Sequence, residues 1–314
     1  MIFILYISRS GSTLLTDRLV STYNVAFLPE NDLVNHLLKY CNSNSIIEDP
    51  KNAYIEIIQN DLKFSDLRIS NKHFKRLLEH HEGQFLSAFL CSLWKTNFNC
   101  STTNDKVLGF KGNYLFNVLN ISYYIPESKF VVITRDVRGV FNSQKNSIIP
   151  EKGIPFSKTP HRLGMKWNDA NALIELCKKE LPTRFLEVQY ENLLSYPEQT
   201  LKKIGEFHNL QKRGNKVQKI HFFIPERYHK LHEKVNQKVD PINAKKWQNA
   251  LSLLETQFLN LYCYKGLTQK GYFKVRNLWD KILLLFGYIG YLRWIILPKG
   301  KRKANRLISK LLPF

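Results

Sequence analysis

Two short stretches hold residue types that could grip phosphate-like anions. Residues 8–13 read Ser8-Arg9-Ser10-Gly11-Ser12-Thr13, between the apolar run 3–7 and a helical pattern that begins at Leu14, Leu15 and Leu19. A strand, a small polar turn and a helix N-terminus aim backbone N–H groups and the positive end of a helix dipole at one point. Arg9 adds a guanidinium fork, and Ser10, Ser12 and Thr13 add hydroxyl donors around Gly11. The second stretch runs from a buried-type strand at 130–134 into the charged turn Arg135-Asp136-Val137-Arg138, with Ser143 eight residues beyond Arg135. A guanidinium suits a dianionic phosphate, and one or two helical turns bring the serine hydroxyl to the same side. Both stretches fit chemistry that moves an anionic group by positioning and charge neutralisation.

The loop lacks the Gly-x-x-x-x-Gly-Lys-Ser/Thr of an ATP-binding P-loop and the Gly-x-Gly-x-x-Gly of a dinucleotide fold. Arg9 ahead of Ser-Gly-Ser-Thr instead resembles the 5′-phosphosulfate loop of the sulfotransferases. Arginine in place of lysine is similar to the Golgi-type branch, which includes the tyrosylprotein sulfotransferases, and its bacterial relatives. The resemblance extends over about residues 2–210 and implies 3′-phosphoadenylyl sulfate (PAPS) as the donor. It assigns the donor's 5′-phosphosulfate to Arg9, Ser10, Gly11, Ser12 and Thr13, and its 3′-phosphate to Arg135 and Ser143. Tyr190, in Tyr190-Glu191-Asn192-Leu193, matches a tyrosine placed near the nucleotide, although Gln189 stands where many relatives carry arginine. Lys246, in the segment from Lys238 to Trp247, matches a lysine that reaches a nucleotide phosphate.

Sulfuryl transfer requires neutralised charge on the moving group and a base for the acceptor proton. Arg9 and Lys111, in Leu108-Gly109-Phe110-Lys111-Gly112-Asn113, are the candidates for the first task. The small-molecule branch takes its base from a histidine downstream, and no histidine follows Lys111 until His161. The Golgi-type branch uses a glutamate about 21 residues past the loop's basic residue, which here is Glu30, with Asp32 as its rival.

These residues need a scaffold. The chain has 314 residues, 44% of them apolar, enough for one substantial core. Strands alternating with helices indicate an α/β fold: a P-loop-like, mostly parallel sheet flanked by helices, with ligands at the carboxyl ends of the strands. A sulfotransferase domain is expected over 1–265, with a helical acceptor-side insertion at about 34–98 anchored by Tyr54, Phe74, Phe85 and Trp94. A basic, apolar tail is expected over 266–314.

The five cysteines are scattered, with no Cys-x-x-Cys or Cys/His ligand pattern, so neither metal nor disulfide framework is expected. The apolar residues 1–7 are consumed by the first strand, so no signal peptide is expected and a cytoplasmic enzyme is. Lys plus Arg number 47 against 26 Asp plus Glu, a net charge of +21. Twelve of those bases and one acid, Asp280, lie in the last fifty residues, beside the apolar stretch 278–298. Charges near its start and Arg293 within it argue against a spanning helix. Residues 275–310 read instead as a peripheral contact with anionic membrane, the basic end being Lys299, Lys301, Arg302, Lys303 and Arg306. The expected partner is a hydroxyl-bearing or amine acceptor, a carbohydrate or glycolipid, with no nucleic acid. Competing readings are a nucleotide-dependent kinase with a degenerate loop and a non-enzymatic binder of acidic polymers. The kinase lacks the Lys-Ser/Thr pair, and the binder lacks a nucleic-acid motif.

Overall fold

The computed structural model describes residues 1–98, 107–214, 221–233, 235, 240–296 and 298; Cys100, Lys238 and the basic residues from Lys299 onward lie outside them. The chain forms two compact units, one of Met1–Thr134 with Leu173–Asp240 and one of Arg135–Ala172 with Pro241–Phe314.

The first unit is built on strands β1 (Ile2–Tyr6), β2 (Val25–Phe27), β3 (Val107–Lys111), β4 (Lys129–Thr134) and β5 (Phe185–Gln189). They form one parallel sheet in the order β2-β3-β1-β4-β5. β1 is central and buried throughout, which is why its five residues are all apolar or aromatic. On one face Ile2, Ile4 and Tyr6 pack with Val131, Ile133 and Val188 under helix α1 (Ser12–Thr22) and the helix Pro197–His208. On the other, Phe3 stacks on Phe110 at 5.0 Å and meets Tyr114 edge-on. The chain leaves β1 toward β2 and β3 on one side, then crosses to β4 and β5 on the other. The order reverses at β1, and sheets of this kind take their ligands beyond the carboxyl ends of the strands at such a point.

The insertion is helical, with helices at Pro50–Asn60, Asn71–His80 and Leu86–Phe98. Phe74 and Trp94 are fully buried, and the Trp94 indole donates to the Ala26 carbonyl at 3.0 Å, tying the insertion to edge strand β2. Phe85 is no anchor: it stands largely in solvent, just ahead of its helix.

In the second unit, α2 (Val137–Lys145) is capped by Asp136, which accepts from the Arg138 amide at 2.9 Å. The buried Arg138 guanidinium pairs with Asp136, donates to Asn260 Oδ1 and the Tyr272 carbonyl, and lies over the Trp247 ring. Helix α3 (Leu253–Tyr262) opens on a Ser252/Glu255 capping box. Helix α4 (Leu278–Tyr291) packs on α3 and continues into the wider π-helical turn Leu292–Ile296. Glycines permit that close packing. A Cβ at Gly287 would sit 2.7 Å from the Gln257 carbonyl oxygen, and one at Gly290 would sit 2.8 Å from Phe258 Cβ. Among the described residues no helix is long and apolar enough to cross a membrane.

Candidate active site

In the first unit the loop after β1 turns through two left-handed residues, Arg9 at φ +75° and Gly11 at φ +94°. The Ser10 amide donates to the Ile7 carbonyl at 3.1 Å, so the turn closes at once into α1. Ser10, Ser12 and Thr13 are buried, and α1 begins with neither a side-chain cap nor an acidic residue in its first turn. A helix end left without an acid suits an external anion. The Tyr190 ring, at the end of β5, lies directly against Gly11.

Glu30 sits in the loop that follows β2, and backbone pairing with β3 holds it. The Leu28 amide donates to the Gly109 carbonyl and the Asn31 amide to the Lys111 carbonyl, each at 3.1 Å. The buried Asn31 side chain accepts from the Tyr114 hydroxyl at 2.7 Å. Glu30 therefore keeps its register against Lys111, and its carboxylate accepts from Lys111 Nζ on one oxygen and from Lys63 Nζ on the other. Lys111 is 1% exposed, its ammonium 5.0 Å from the Tyr6 ring centroid and 5.6 Å from that of Phe222. Burial, then the charge of Arg9, pushes its pKa down to about 7. Asp32, the rival base, is occupied structurally: its carboxylate accepts from the Asn113 backbone and side chain at 2.8 and 3.0 Å.

Lys63 and a second group, His232, have no signal in the motifs. His232 ends a short helical turn, His229–His232, about two hundred residues from the loop. Burial, then the charges of Lys111, Arg9 and Lys63, pushes its imidazole down to about 3, so it is neutral beside three cations. Its segment is pinned twice. Arg9 Nη1 donates to the Leu231 carbonyl at 3.0 Å, and Asp17 on α1 accepts from the Phe222 amide and pairs with His221 at 3.1 and 3.0 Å. Only tertiary pairing reveals these contacts, because nothing near 221–232 repeats a phosphate-loop pattern.

Arg135, Ser143 and Lys246 belong to the second unit. The Arg135 carbonyl accepts from the buried Trp167 indole at 3.0 Å, and its guanidinium donates to the Asn243 carbonyl at 3.5 Å. A Cβ at Gly139 would lie 3.0 Å from Arg135 Nε, so this glycine lets the guanidinium run along α2. Ser143 is four residues past Gly139 and thus on the same helix face. Lys246 is exposed, one residue before the helical turn Trp247–Ala250.

A parallel sheet with an arginine-bearing anion loop at the end of its central strand, a buried lysine and a carboxylate beside it defines a phosphate-loop transferase. The chain belongs to the sulfotransferase family, whose model matches residues 2–214. A Caenorhabditis briggsae protein named as a protein-tyrosine sulfotransferase is 30% identical over 86 residues, which is 27% of this chain; the chain spans 30% of that relative's length. Among solved structures, the fold is similar to the sulfotransferase domain of the Synechococcus PCC 7002 olefin synthase. That similarity has a TM-score of 0.58 and 18% identity, covering 88% of this chain and 95% of that one. The sulfotransferase domain from the curacin biosynthetic pathway is similar at TM-score 0.57 and 18% identity, covering 88% and 98%. Family and fold support sulfuryl transfer.

The residues fit an anionic donor: the α1 end carries no acid, Arg9 stands in the loop, and the buried Lys111 feels the charge of Arg9. Among the described residues no three His, Cys, Asp or Glu side chains gather as metal ligands.

Proposed function

We propose that this protein transfers a sulfuryl group from PAPS to an acceptor hydroxyl, with Glu30 as the base. PAPS supplies an activated sulfuryl group on a phosphate leaving group. The observation that carries the reading is Glu30 held between Lys111 and Lys63 beside the Arg9 loop. Arg9 and the amides of residues 10–13 bind the 5′-phosphosulfate, while Arg135 and Ser143 take the 3′-phosphate. Tyr190 covers the loop. Lys246 is retained as a phosphate contact on family resemblance alone.

Lys111 exchanges its bridge to Glu30 for the incoming anion, and that exchange frees one carboxylate oxygen. Glu30 then accepts the acceptor's hydroxyl proton as the new oxygen–sulfur bond forms. The old sulfur–oxygen bond breaks with its electron pair left on the phosphate, and Arg9 and Lys111 stabilise that charge.

The acceptor we favour is a carbohydrate or glycolipid hydroxyl, preferably on an anionic molecule, because Lys63 and Lys111 both contact the base and the charge of Arg9 reaches Lys111. The name of the Caenorhabditis briggsae relative makes a tyrosine hydroxyl the competitor. We place the reaction in the cytoplasm. Glu30→Gln should abolish turnover of labelled PAPS while thermal stabilisation by 3′,5′-adenosine bisphosphate persists. Unchanged turnover would remove Glu30 from the role, and loss of the nucleotide shift in the unaltered protein would remove the donor.

A further inference from the structure

Helix α4 has two faces of different character. Gly287 and Gly290 bury one face against α3, and Trp294 meets Phe258 at 5.1 Å just beyond. On the opposite side Leu278, Ile282, Leu285, Ile289, Leu292 and Ile296 recur every third or fourth residue, and all are exposed. Leu278 is 70%, Leu285 60% and Ile289 53% exposed. Trp279 and Phe286 widen the stripe to one side. Such a continuous apolar surface marks an interaction site.

The charges beside the stripe indicate what covers it. Lys281 and Arg293 flank it and are exposed, and Lys270, Lys274 and Arg276 precede it. The helix carries one acid, Asp280, whose carboxylate accepts from the Arg276 amide at 2.7 Å. A second copy laid on this stripe would set the like charges of Lys281 and Arg293 together, with Asp280, one acid per helix and already engaged by the Arg276 amide, against them. An anionic lipid surface accepts both the apolar stripe and its basic rim. The sequence beyond residue 298 adds six further Lys or Arg and no acid.

We infer that α4 lies in the interface of an anionic phospholipid membrane, with the Leu278–Ile296 stripe among the acyl chains and Lys281 and Arg293 at the headgroups. This reading is independent of the acceptor and of the sulfuryl chemistry.

The test is co-sedimentation of the full chain with vesicles of phosphatidylcholine alone or mixed with phosphatidylglycerol. Binding is expected to the mixed vesicles, with a blue shift of tryptophan emission, and should weaken with salt. Leu285→Glu with Ile289→Glu should weaken it roughly tenfold or more, since two apolar side chains of the stripe are replaced by charges that repel anionic headgroups. Lys281→Glu with Arg293→Glu should weaken it as well, and both pairs lie at exposed positions. A circular-dichroism spectrum and a cooperative thermal melt like those of the unaltered protein would show that either variant is folded. Failure to sediment with phosphatidylglycerol, or undiminished binding by both folded variants, overturns the inference. Concentration-dependent dimerisation that Leu285→Glu/Ile289→Glu abolishes, without vesicle binding, overturns it in favour of a second copy.

Discussion

Tyr190 packs against Gly11 so closely that a Cβ at position 11 would lie 2.3 Å from the ring's Cδ2. The anion loop is therefore covered by an aromatic side chain from the carboxyl end of the edge strand β5, and its glycine is required twice. It adopts φ +94°, and it leaves room for the ring. Gly11→Ala should lose donor-site affinity by about 1–3 kcal/mol, from strain in the left-handed region together with displacement of Tyr190. Titration with 3′,5′-adenosine bisphosphate measures the loss. Adding Tyr190→Ala should recover part of it, because the clash is removed while the strained φ remains. Wild-type affinity in Gly11→Ala would mean that the loop is not the nucleotide's.

Lys111 gives the donor step a pH dependence. Burial and Arg9 bring its ammonium to about 7, against 10.5 for an ordinary lysine. In the proposed reaction the protonated form neutralises the donor, so kcat/KM for PAPS should be flat below that value and fall as pH rises through about 7. In Lys111→Arg the fall should disappear from this range, because guanidinium stays charged. Stability has the opposite sign. Between about 7 and 10.5 the unfolded chain holds a proton that the folded chain has released, so the cost of burying Lys111 is present below 7 and is relieved as pH rises toward 10.5. Thermal melts of Lys111→Met should show less of this pH-linked gain.

Lys63 should affect the acceptor half of the reaction. Its bridge holds one oxygen of Glu30 and comes from the helical insertion. Lys63→Met removes a charge-assisted hydrogen bond worth about 1.5–3 kcal/mol, roughly ten- to a hundredfold in rate. The loss is expected in kcat and in KM for the acceptor, with 3′,5′-adenosine bisphosphate affinity unchanged. Equal loss of nucleotide affinity would instead place Lys63 in the donor site.

Parts of the site were legible because the chemistry is local. The Arg9–Thr13 turn lies between a buried strand and a helix, and Arg135 precedes its helix in the same way, so strand-then-charge patterns located both. The parallel sheet followed from strands alternating with helices, and the apolar runs at 3–7 and 130–134 marked two of its strands, which form at Ile2–Tyr6 and Lys129–Thr134. Glu30 was reached only through its distance from Arg9; its fastening to Lys111 depends on β2–β3 pairing across eighty residues, which no local pattern encodes. Lys63 and His232 had no local signal, since a lone lysine in a polar insertion and a histidine in a basic segment look like surface residues. Phe85 misled for the reverse reason: an aromatic at the start of an apolar helix resembles an anchor, yet it points to solvent.

The second unit should depend on Arg138. Its guanidinium is buried, pairs with Asp136, donates to Asn260 Oδ1 at 3.0 Å and to the Tyr272 carbonyl at 2.7 Å, and lies 4.0 Å over the Trp247 ring. One planar fork thus joins the cap of α2 to α3 and to the segment ahead of α4. An ammonium cannot reproduce that set, because it has three donors at one point and no planar face to stack. Arg138→Lys keeps the charge beside Asp136 but should lose the hydrogen bonds to Asn260 and the Tyr272 carbonyl, destabilising by roughly 1–3 kcal/mol. Arg138→Met leaves Asp136 buried without its counter-ion and should cost at least as much. Chemical denaturation checks both, and hydrogen exchange should show α2 and α3 losing protection together. A loss below about 1 kcal/mol in Arg138→Lys would mean that the fork's geometry is dispensable and that charge alone holds these helices.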